Sequence, residues 1–233
     1  MTSIEEDSLR VSYSSHATWG RLYPLHVGKP VTIYLLRHGE THWNRVRRLQ
    51  GQKDSPLTWL GVQQVIAFGE RLAAEFANRP QPLLVASPLG RTIQSASLIA
   101  DVMGVPFSQV RFDERLLERN QGAWDGLTAE EIAAGFNPDP HARRDWDFAP
   151  PGGESLRQVH DRVAAFVADL PGDQVTIAIC HGVVSRVMRG AQLGLSPAEV
   201  VDLPAHTQDR FFKLKDGKLE SILCGINTPE GTG

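Results

Sequence analysis

Two arginines and two histidines follow closely on apolar runs in this sequence. They are Arg37 and His38 after residues 31–36, Arg91 after residues 83–86, and His181 after residues 174–180. Arginine is permanently charged and binds phosphate or carboxylate oxygens through paired hydrogen bonds, while histidine can serve as nucleophile, donor or base near neutral pH. These residue types therefore predict chemistry on a bound anion.

Phosphoryl transfer is the reaction that this combination fits. The three non-bridging oxygens of a phosphate need several cationic or N–H donors, which must also hold phosphorus in line with the attacking atom. An imidazole such as that of His38 is a competent nucleophile because it is largely unprotonated near pH 7. Glu118, in a charged and irregular segment, is a candidate general acid for the leaving oxygen, provided that burial or the bound dianion favours its protonated form.

The apolar patterns predict an α/β protein in which strands alternate with helices. The predicted strands cover residues 31–36, 83–86, 105–112 or only 110–112, and 174–180, with a final hairpin of 206–214 and 218–224. The predicted helices cover residues 58–78, 91–103, 128–134, 154–170 and 182–193. Ligands of α/β sheets lie outside the carboxyl ends of the strands, which is the edge that receives the four residues above.

The sequence predicts one main domain over residues 31–226. Residues 1–30 show no sustained periodicity and are predicted to be an N-terminal extension. Two surfaces are available for its aromatic side chains to pack against, the main body and the second subunit of a homodimer. Residues 227–233 form a C-terminal tail. The polar connection at 42–57 has a length typical of functional loops, and the proline-rich residues 127–152 indicate a lid-like insertion over the sheet edge.

The composition narrows the classes of protein. Of the 233 residues, 41% are hydrophobic and 22% are charged, as in ordinary globular proteins. The formal net charge of −3 gives no basic excess for nucleic acid, so a bound anion must be held by a few local arginines. An acidic start, two widely spaced cysteines and no apolar run of about 18 residues predict an unexported, cytoplasmic protein without a membrane partner.

Two other classes of function stay open at this point. A metal hydrolase could use His38 and His42, but Gly39 directly after a strand favours a turn over the helix that would bring both histidines to one metal. Activity that resists a chelator and is inhibited by vanadate would rule out this class. The second is a phosphate-binding regulatory protein without turnover, and the presence of both His38 and Glu118 argues against it.

Further motifs accompany these residues, in a fixed order from about residue 31 to the C-terminal hairpin. They are Arg37-His38-Gly39-Glu40-Thr41, Asn44, Gln50-Gly51, Asp54-Ser55-Pro56-Leu57-Thr58 with Gly61, Ser87-Pro88-Leu89 with Arg91-Thr92, Glu118 with Gly122, Pro151-Gly152-Gly153-Glu154-Ser155, and His181-Gly182. The ordered set resembles the histidine phosphatase superfamily, and more narrowly its phosphoglycerate mutase-like branch. A lone Arg-His-Gly would be weak evidence, whereas the whole series is specific.

The resemblance implies a three-layer α/β/α fold, with a mostly parallel mixed sheet and helices on both faces. It implies that His38 becomes phosphohistidine and that Glu118 is the proton donor. The implied phosphate-binding residues are Arg37, Asn44, Gln50, Gly51, Arg91, His181 and Gly182. Of these, Arg37, Arg91 and His181 would also act catalytically by stabilising the transition state. Neither a metal nor an organic cofactor is implied.

The resemblance leaves two reactions, hydrolysis and transfer to a second substrate hydroxyl. Both pass through phosphohistidine and differ in what accepts the phosphoryl group. The Glu40-Thr41 pair, the block at 50–58 and the compact insertion are similar to the phosphatase members, which favours a phosphatase acting on a small phosphorylated metabolite. Arg119, beside Glu118, is similar to the mutases instead and is a candidate ligand for a substrate carboxylate.

Overall fold

Strands and helices alternate along the part of the chain that this computed structural model describes, residues 30–139 and 144–225. The strands are β1 (Thr32–Arg37), β2 (Leu83–Ala86), β3 (Arg111–Phe112), β4 (Thr176–Cys180), β5 (Arg210–Lys215) and β6 (Lys218–Leu223). The α-helices are α1 (His42–Arg45), α2 (Trp59–Phe76), α3 (Gly90–Val102), α4 (Ala129–Phe136), α5 (Leu156–Ala168), α6 (Gly182–Gln192) and α7 (Pro197–Asp202). The predicted extension before Pro30 and the predicted tail at 227–233 lie outside the described residues.

The six strands form one mixed sheet in the order β3-β2-β4-β1-β5-β6. Strands β1, β2, β3 and β4 are parallel to one another, β5 is antiparallel to β1, and β6 is antiparallel to β5. The three inner parallel strands are almost continuously apolar because helices cover both of their faces. The prediction of a mostly parallel mixed sheet is confirmed.

Side chains of successive strand residues point into two separate cores, as the two-residue period of a strand requires. Leu35 and Ala178 belong to the core that also contains apolar residues of α5 and α6. Leu36 and Ile179 belong to the opposite core, with apolar residues of α2 and α3. The protein therefore has the three-layer α/β/α architecture that the resemblance implied.

The register of the parallel strands brings their carboxyl ends to one edge. Arg37 pairs with Cys180 across β1 and β4, and Ala86 pairs with Ile179 across β2 and β4. The ladder continues for one more residue on each side, since His38 N–H donates to the Cys180 carbonyl (3.1 Å) and Ser87 N–H donates to the Ile179 carbonyl (3.0 Å). Each strand therefore releases its next residue at the same edge.

Three elements differ from the sequence prediction. A strand over the whole of 105–112 was wrong, because Pro106 precedes a 3-10 turn at Phe107–Gln109 and only Arg111–Phe112 pair with β2. The polar connection at 42–57 contains the short helix α1, which Thr41 caps. Helix α7 was missed, although Ser196-Pro197 with an acid at N3 is a recognisable helix start.

A transmembrane helix needs about 20 predominantly apolar residues. No helix within residues 30–139 and 144–225 is long and apolar enough to cross a membrane.

Candidate active site

The turn that carries His38 lies directly against the first turn of α2. A Cβ atom on Gly39 would lie 2.3 Å from the carbonyl oxygen of Gly61, and one on Gly61 would lie 2.1 Å from that of Glu40. Only glycine permits so close an approach of two backbones. The Thr58 hydroxyl, which caps α2, also donates to the Glu40 carboxylate at 2.7 Å. These contacts fix the corner between β1 and α1.

His38 is held as a neutral ring in one tautomer. It is only 3% exposed, and its Nδ1 lies 2.7 Å from the carbonyl oxygen of Gly39. Because a carbonyl can only accept, Nδ1 carries the proton and Nε2 keeps its lone pair. Burial, together with the positive charges of Arg37 and Arg91, lowers the pKa of His38 well below its usual value. The ring thus has the protonation state that a nucleophile needs.

His181 lies beside His38, with the two ring centres 5.3 Å apart. Arg91 Nε donates to its Nδ1 at 3.2 Å, so the proton is on Nε2, which donates to the Ser87 hydroxyl at 2.8 Å. Burial and the charge of Arg91 lower the pKa of His181 well below its usual value. Nδ1 of the neutral His181 ring is therefore a hydrogen-bond acceptor here. A phosphate dianion bound beside the ring would favour its protonated form, which can donate from Nδ1.

Arg91 is 1% exposed and uses most of its hydrogen-bonding capacity within the protein. Besides the bond to His181, its Nη1 donates to the Lys53 carbonyl (2.7 Å) and the Asp54 carboxylate (2.8 Å), and its Nη2 donates to the Gly51 carbonyl (2.8 Å). A guanidinium has five N–H groups, so one on Nη2 is not donated to a described residue. Arg91 therefore shapes the loop at 50–54 and keeps one donor for a ligand.

Arg37 is held from the other side by the segment that precedes β5. Its Nη1 donates to the His206 carbonyl at 2.6 Å, while its buried Nε has no partner among the described residues. The His206 ring is fixed as well, because its Nε2 donates to the Arg210 carbonyl (3.0 Å) and its Nδ1 accepts from the Ser185 hydroxyl (2.7 Å). Burial lowers the pKa of His206 to about 3. A neutral, fully bonded histidine therefore positions Arg37.

Glu118 reaches the same place from the loop after β3. Its Oε1 accepts from Arg119 N–H (2.9 Å) and its Oε2 from Val183 N–H (3.2 Å), in the first turn of α6. A Cβ atom on Gly182 would lie 3.7 Å from Arg37 Cζ and 3.8 Å from Glu118 Oε2. The structure thus brings Glu118, which is the predicted acid, and Arg37 together around Gly182 at the start of α6.

The remaining predicted phosphate-binding residues line the loops around this cluster. Asn44 Oδ1 accepts from Thr41 N–H and from the Gln208 side chain, and the buried Oε1 of Gln50 has no partner among the described residues. Gly51 has a φ of 50°, and a Cβ there would lie 1.7 Å from Asp125 Oδ1. Their contact with phosphate stays a prediction.

Arg119, the candidate ligand for a substrate carboxylate, donates to carbonyl groups of the protein. Its side chain is buried, with Nε donating to the Glu154 carbonyl (2.7 Å) and Nη2 donating to the Phe148 carbonyl (2.8 Å). Glu154 also accepts from Asn120 N–H at 2.8 Å and is paired with Arg162. These contacts tie the loop that carries Glu118 to the chain around residues 148–154. Within 127–152, residues 140–143 lie outside the described part, and a lid role stays a prediction.

Three residues of this site were missed from the sequence. Ser87 directly follows β2 and belongs to a motif already noted, so its position was a usable signal. Ser185 and His206 carry no such signal, because their contact with each other depends on how α6 packs against the segment before β5. Across residues 30–139 and 144–225, no group of three or more His, Cys, Asp or Glu side chains could hold a metal ion.

Three of the four buried histidines among the described residues predict that the protein loses stability as pH falls from about 7 to 5. The pKa values of His38, His181 and His206 are lower in the folded state than the value of about 6.5 in an unfolded chain. Below pH 6.5 the unfolded state therefore binds more protons, and each ring costs up to about 1.4 kcal/mol per pH unit. The free energy of unfolding, from urea titrations at several pH values, measures this slope.

Two variants separate this effect from the titration of other groups. His206→Gln removes one buried ring and should lower the slope by about one third of the histidine contribution. His42→Gln changes an exposed residue at the start of α1 and should leave the slope unchanged. A free energy of unfolding that stays constant between pH 7 and 5 would contradict the neutral state of these rings.

Comparisons with known proteins agree with the motif series. A family model described as histidine phosphatase superfamily (branch 1) matches residues 33–210. A protein named probable phosphoglycerate mutase GpmB, from Salmonella paratyphi C, is 36% identical over 187 residues, which cover 77% of this chain and 79% of that protein. The match therefore extends over most of both chains.

Solved structures show the same relationship. A mycobacterial glucosyl-3-phosphoglycerate phosphatase in complex with VO3 is 31% identical, with a TM-score of 0.66, and covers 84% of this chain and 97% of its own. Bacillus stearothermophilus YhfR is 28% identical, with a TM-score of 0.67, and covers 83% and 96%. The α-ribazole phosphatase of Shigella flexneri, 20% identical with a TM-score of 0.68 over 83% and 96%, shares the fold.

Proposed function

Since the chain belongs to branch 1 of the histidine phosphatase superfamily, and is thus an enzyme acting on phosphomonoester-type substrates, we propose that it hydrolyses a small phosphorylated metabolite through a phosphohistidine on His38. The observation that carries this proposal is the tautomer of His38. Its Nδ1 proton is bound to the Gly39 carbonyl, which leaves the Nε2 lone pair among the arginines.

The substrate's phosphoryl group binds between these arginines. Arg37, whose Nε has no protein partner among the described residues, and the remaining Nη2 proton of Arg91 donate to its non-bridging oxygens. The dianion favours a proton on His181 Nδ1, which then donates to the phosphate. Because the two arginines are fixed by the contacts described above, they stabilise the transition state without rearranging, whereas His181 exchanges the bond that its Nδ1 accepts from Arg91 Nε for one to the phosphate.

Phosphorylation of the enzyme is an in-line displacement at phosphorus. The lone pair of His38 Nε2 forms the N–P bond while the bond from phosphorus to the ester oxygen breaks, and its electron pair goes to that oxygen. Glu118, in its protonated form, gives its proton to the same oxygen, so that an alcohol leaves. His38 keeps its Nδ1 bond to Gly39, which stabilises the positive charge that develops on the ring.

Hydrolysis of phosphohistidine reverses the roles. Glu118 is now a carboxylate and removes a proton from a water molecule, whose oxygen forms the new bond to phosphorus. The N–P bond breaks and its electron pair returns to His38 Nε2. The products are inorganic phosphate and the starting enzyme, with Glu118 protonated again.

Transfer to a second hydroxyl in place of water is the alternative reaction, favoured by the similarity to a protein named as a phosphoglycerate mutase. Two observations support hydrolysis. The residue that looked mutase-like, Arg119, donates to the carbonyls of Phe148 and Glu154. A structural relative at 31% identity is a phosphatase.

A screen across phosphorylated metabolites, with and without 2,3-bisphosphoglycerate, tests the proposal. We expect release of inorganic phosphate that bisphosphoglycerate does not stimulate, that a chelator does not lower and that vanadate inhibits. An acid-labile, alkali-stable phosphoprotein should form during turnover, as a phosphohistidine requires. Interconversion of 2- and 3-phosphoglycerate that depends on bisphosphoglycerate and outpaces phosphate release would overturn hydrolysis in favour of the mutase reaction.

A further inference from the structure

Arg186 lies on α6 one helical turn beyond Gly182. Residues four apart occupy the same face of a helix, and helical side chains lean toward the helix N-terminus. The side chain of Arg186 therefore extends over Gly182, which has no side chain of its own and which borders Arg37 and Glu118. The charge of Arg186 accordingly acts on Glu118 and on Arg37.

This arginine has no anionic partner in the described protein. Its Nε is buried without a hydrogen-bond acceptor, and its guanidinium forms no ion pair with a described residue. The two nearby acids are engaged elsewhere, since Glu118 accepts from two backbone N–H groups and Asp202 binds Arg144 at 2.6 and 2.8 Å. A partly buried guanidinium without a counter-ion costs stability, which a bound anion would recover.

The position of Arg186 relative to the reacting atoms indicates which part of a substrate it meets. The charges of Arg37 and Arg91 both lower the pKa of His38 and of His181, whereas Arg186 interacts with Glu118 and with Arg37 around Gly182. Glu118 is the residue assigned to the leaving oxygen. Arg186 therefore lies on the leaving-group side of the pocket, beyond the donors that take the phosphoryl group.

We propose that Arg186 is a specificity-determining residue that binds a second anionic group, carried by the alcohol portion of the substrate. This inference rests on the proposed function, because it uses the assignment of Glu118 to the leaving oxygen. The second group is a carboxylate or a second phosphate, both of which accept paired hydrogen bonds from a guanidinium. The preferred substrate is then a phosphomonoester with two separate negative centres.

Two pairs of matched esters test this inference. 3-Phosphoglycerate and glycerol 3-phosphate differ by a carboxylate in place of a hydroxymethyl group, and fructose 1,6-bisphosphate differs from fructose 6-phosphate by the second phosphate. We expect the wild-type enzyme to prefer the doubly anionic member of one pair, and that pair identifies the group. Arg186→Gln should lower kcat/KM for that member by about 10- to 100-fold, and for its partner by less than about threefold.

Two further variants serve as controls. Arg186→Lys keeps the charge without the paired geometry and should recover part of the preference. Arg157→Gln removes an arginine of an exposed ion pair with Asp147 and should change neither member of the pair. Thermal unfolding of each variant shows whether the fold is retained.

The outcomes separate this inference from the function on which it rests. Equal losses for both members after Arg186→Gln, or a wild-type enzyme without preference for the anionic member, would overturn the role of Arg186. In either case, hydrolysis of p-nitrophenyl phosphate that depends on His38 would leave the proposed function standing. Absence of that hydrolysis would overturn the function itself, and the inference with it.

Discussion

Replacing His38 with alanine should lower kcat for a generic phosphomonoester by at least about 10⁴-fold, because the variant lacks the proposed nucleophile that forms the covalent intermediate. The expectation rests on the Nε2 lone pair that the bond to the Gly39 carbonyl preserves. His181, the nearest other imidazole, has both ring nitrogens occupied by Arg91 and Ser87. Phosphate release under saturating substrate measures the effect, and the acid-labile phosphoprotein should disappear with it.

A matched histidine provides the control for this variant. His42 is exposed at the start of α1, so His42→Ala should retain nearly full activity on the phosphohistidine mechanism. In a metal site built from His38 and His42, the two variants would lose activity alike. Binding of inorganic phosphate to the His38→Ala protein would show that the pocket is intact. Residual activity above about 1% in such a folded variant would refute His38 as the nucleophile.

Glu118→Gln should slow esters with poor leaving groups by about 10²- to 10⁴-fold in kcat/KM. An alkyl oxygen needs a proton as the P–O bond breaks, and glutamine cannot supply it. A nitrophenolate is stable without a proton, so kcat/KM for p-nitrophenyl phosphate should change by less than about tenfold. A series of phosphate esters with leaving groups of different pKa measures this contrast as a steeper dependence of rate on leaving-group pKa.

The second half of the reaction adds an independent signal. The proposed mechanism also has Glu118 activate the water, so we expect the variant to accumulate phosphohistidine and to release a burst of nitrophenolate before a slow steady state. Glu154→Gln is the control, since Glu154 supports the same loop through Asn120 and Arg162 and should affect both classes of ester equally. Equal losses for both classes in Glu118→Gln would remove Glu118 as the acid.

The fold was predictable because its sheet leaves strong local signals. The runs at 83–86 and 174–180 are apolar on both faces, and each precedes a helix with a clear apolar stripe, so strand, helix and order follow from the sequence. The short edge strand β3 was less clear, because pairing of only two residues with β2 is decided by its neighbour and not by its own residues. Helix α7 was missed despite a cap that could have been recognised.

The site was predictable where function coincides with a strand end. His38 and His181 follow β1 and β4, so the parallel register alone brings them to one edge. The residues that hold the clamp were not predictable, because the bond between His206 and Ser185 joins elements whose packing no local pattern records. Arg119 and Arg186 were likewise indistinguishable from the sequence. Both are arginines near Glu118, and only the fold shows that Arg119 donates to backbone carbonyls whereas Arg186 forms no ion pair with a described residue.

The hydrogen bonds of Arg91 bear on what happens after the chemistry. Its guanidinium is already tied to Gly51, Lys53, Asp54 and His181, so the clamp has its shape before any ligand arrives and little ordering accompanies binding. On the proposed function, such a clamp meets the same oxygens in free phosphate as in the phosphoryl group of the ester, so it binds the product as well as the substrate. We therefore expect inorganic phosphate to inhibit its own formation competitively, and its departure from the site to limit turnover.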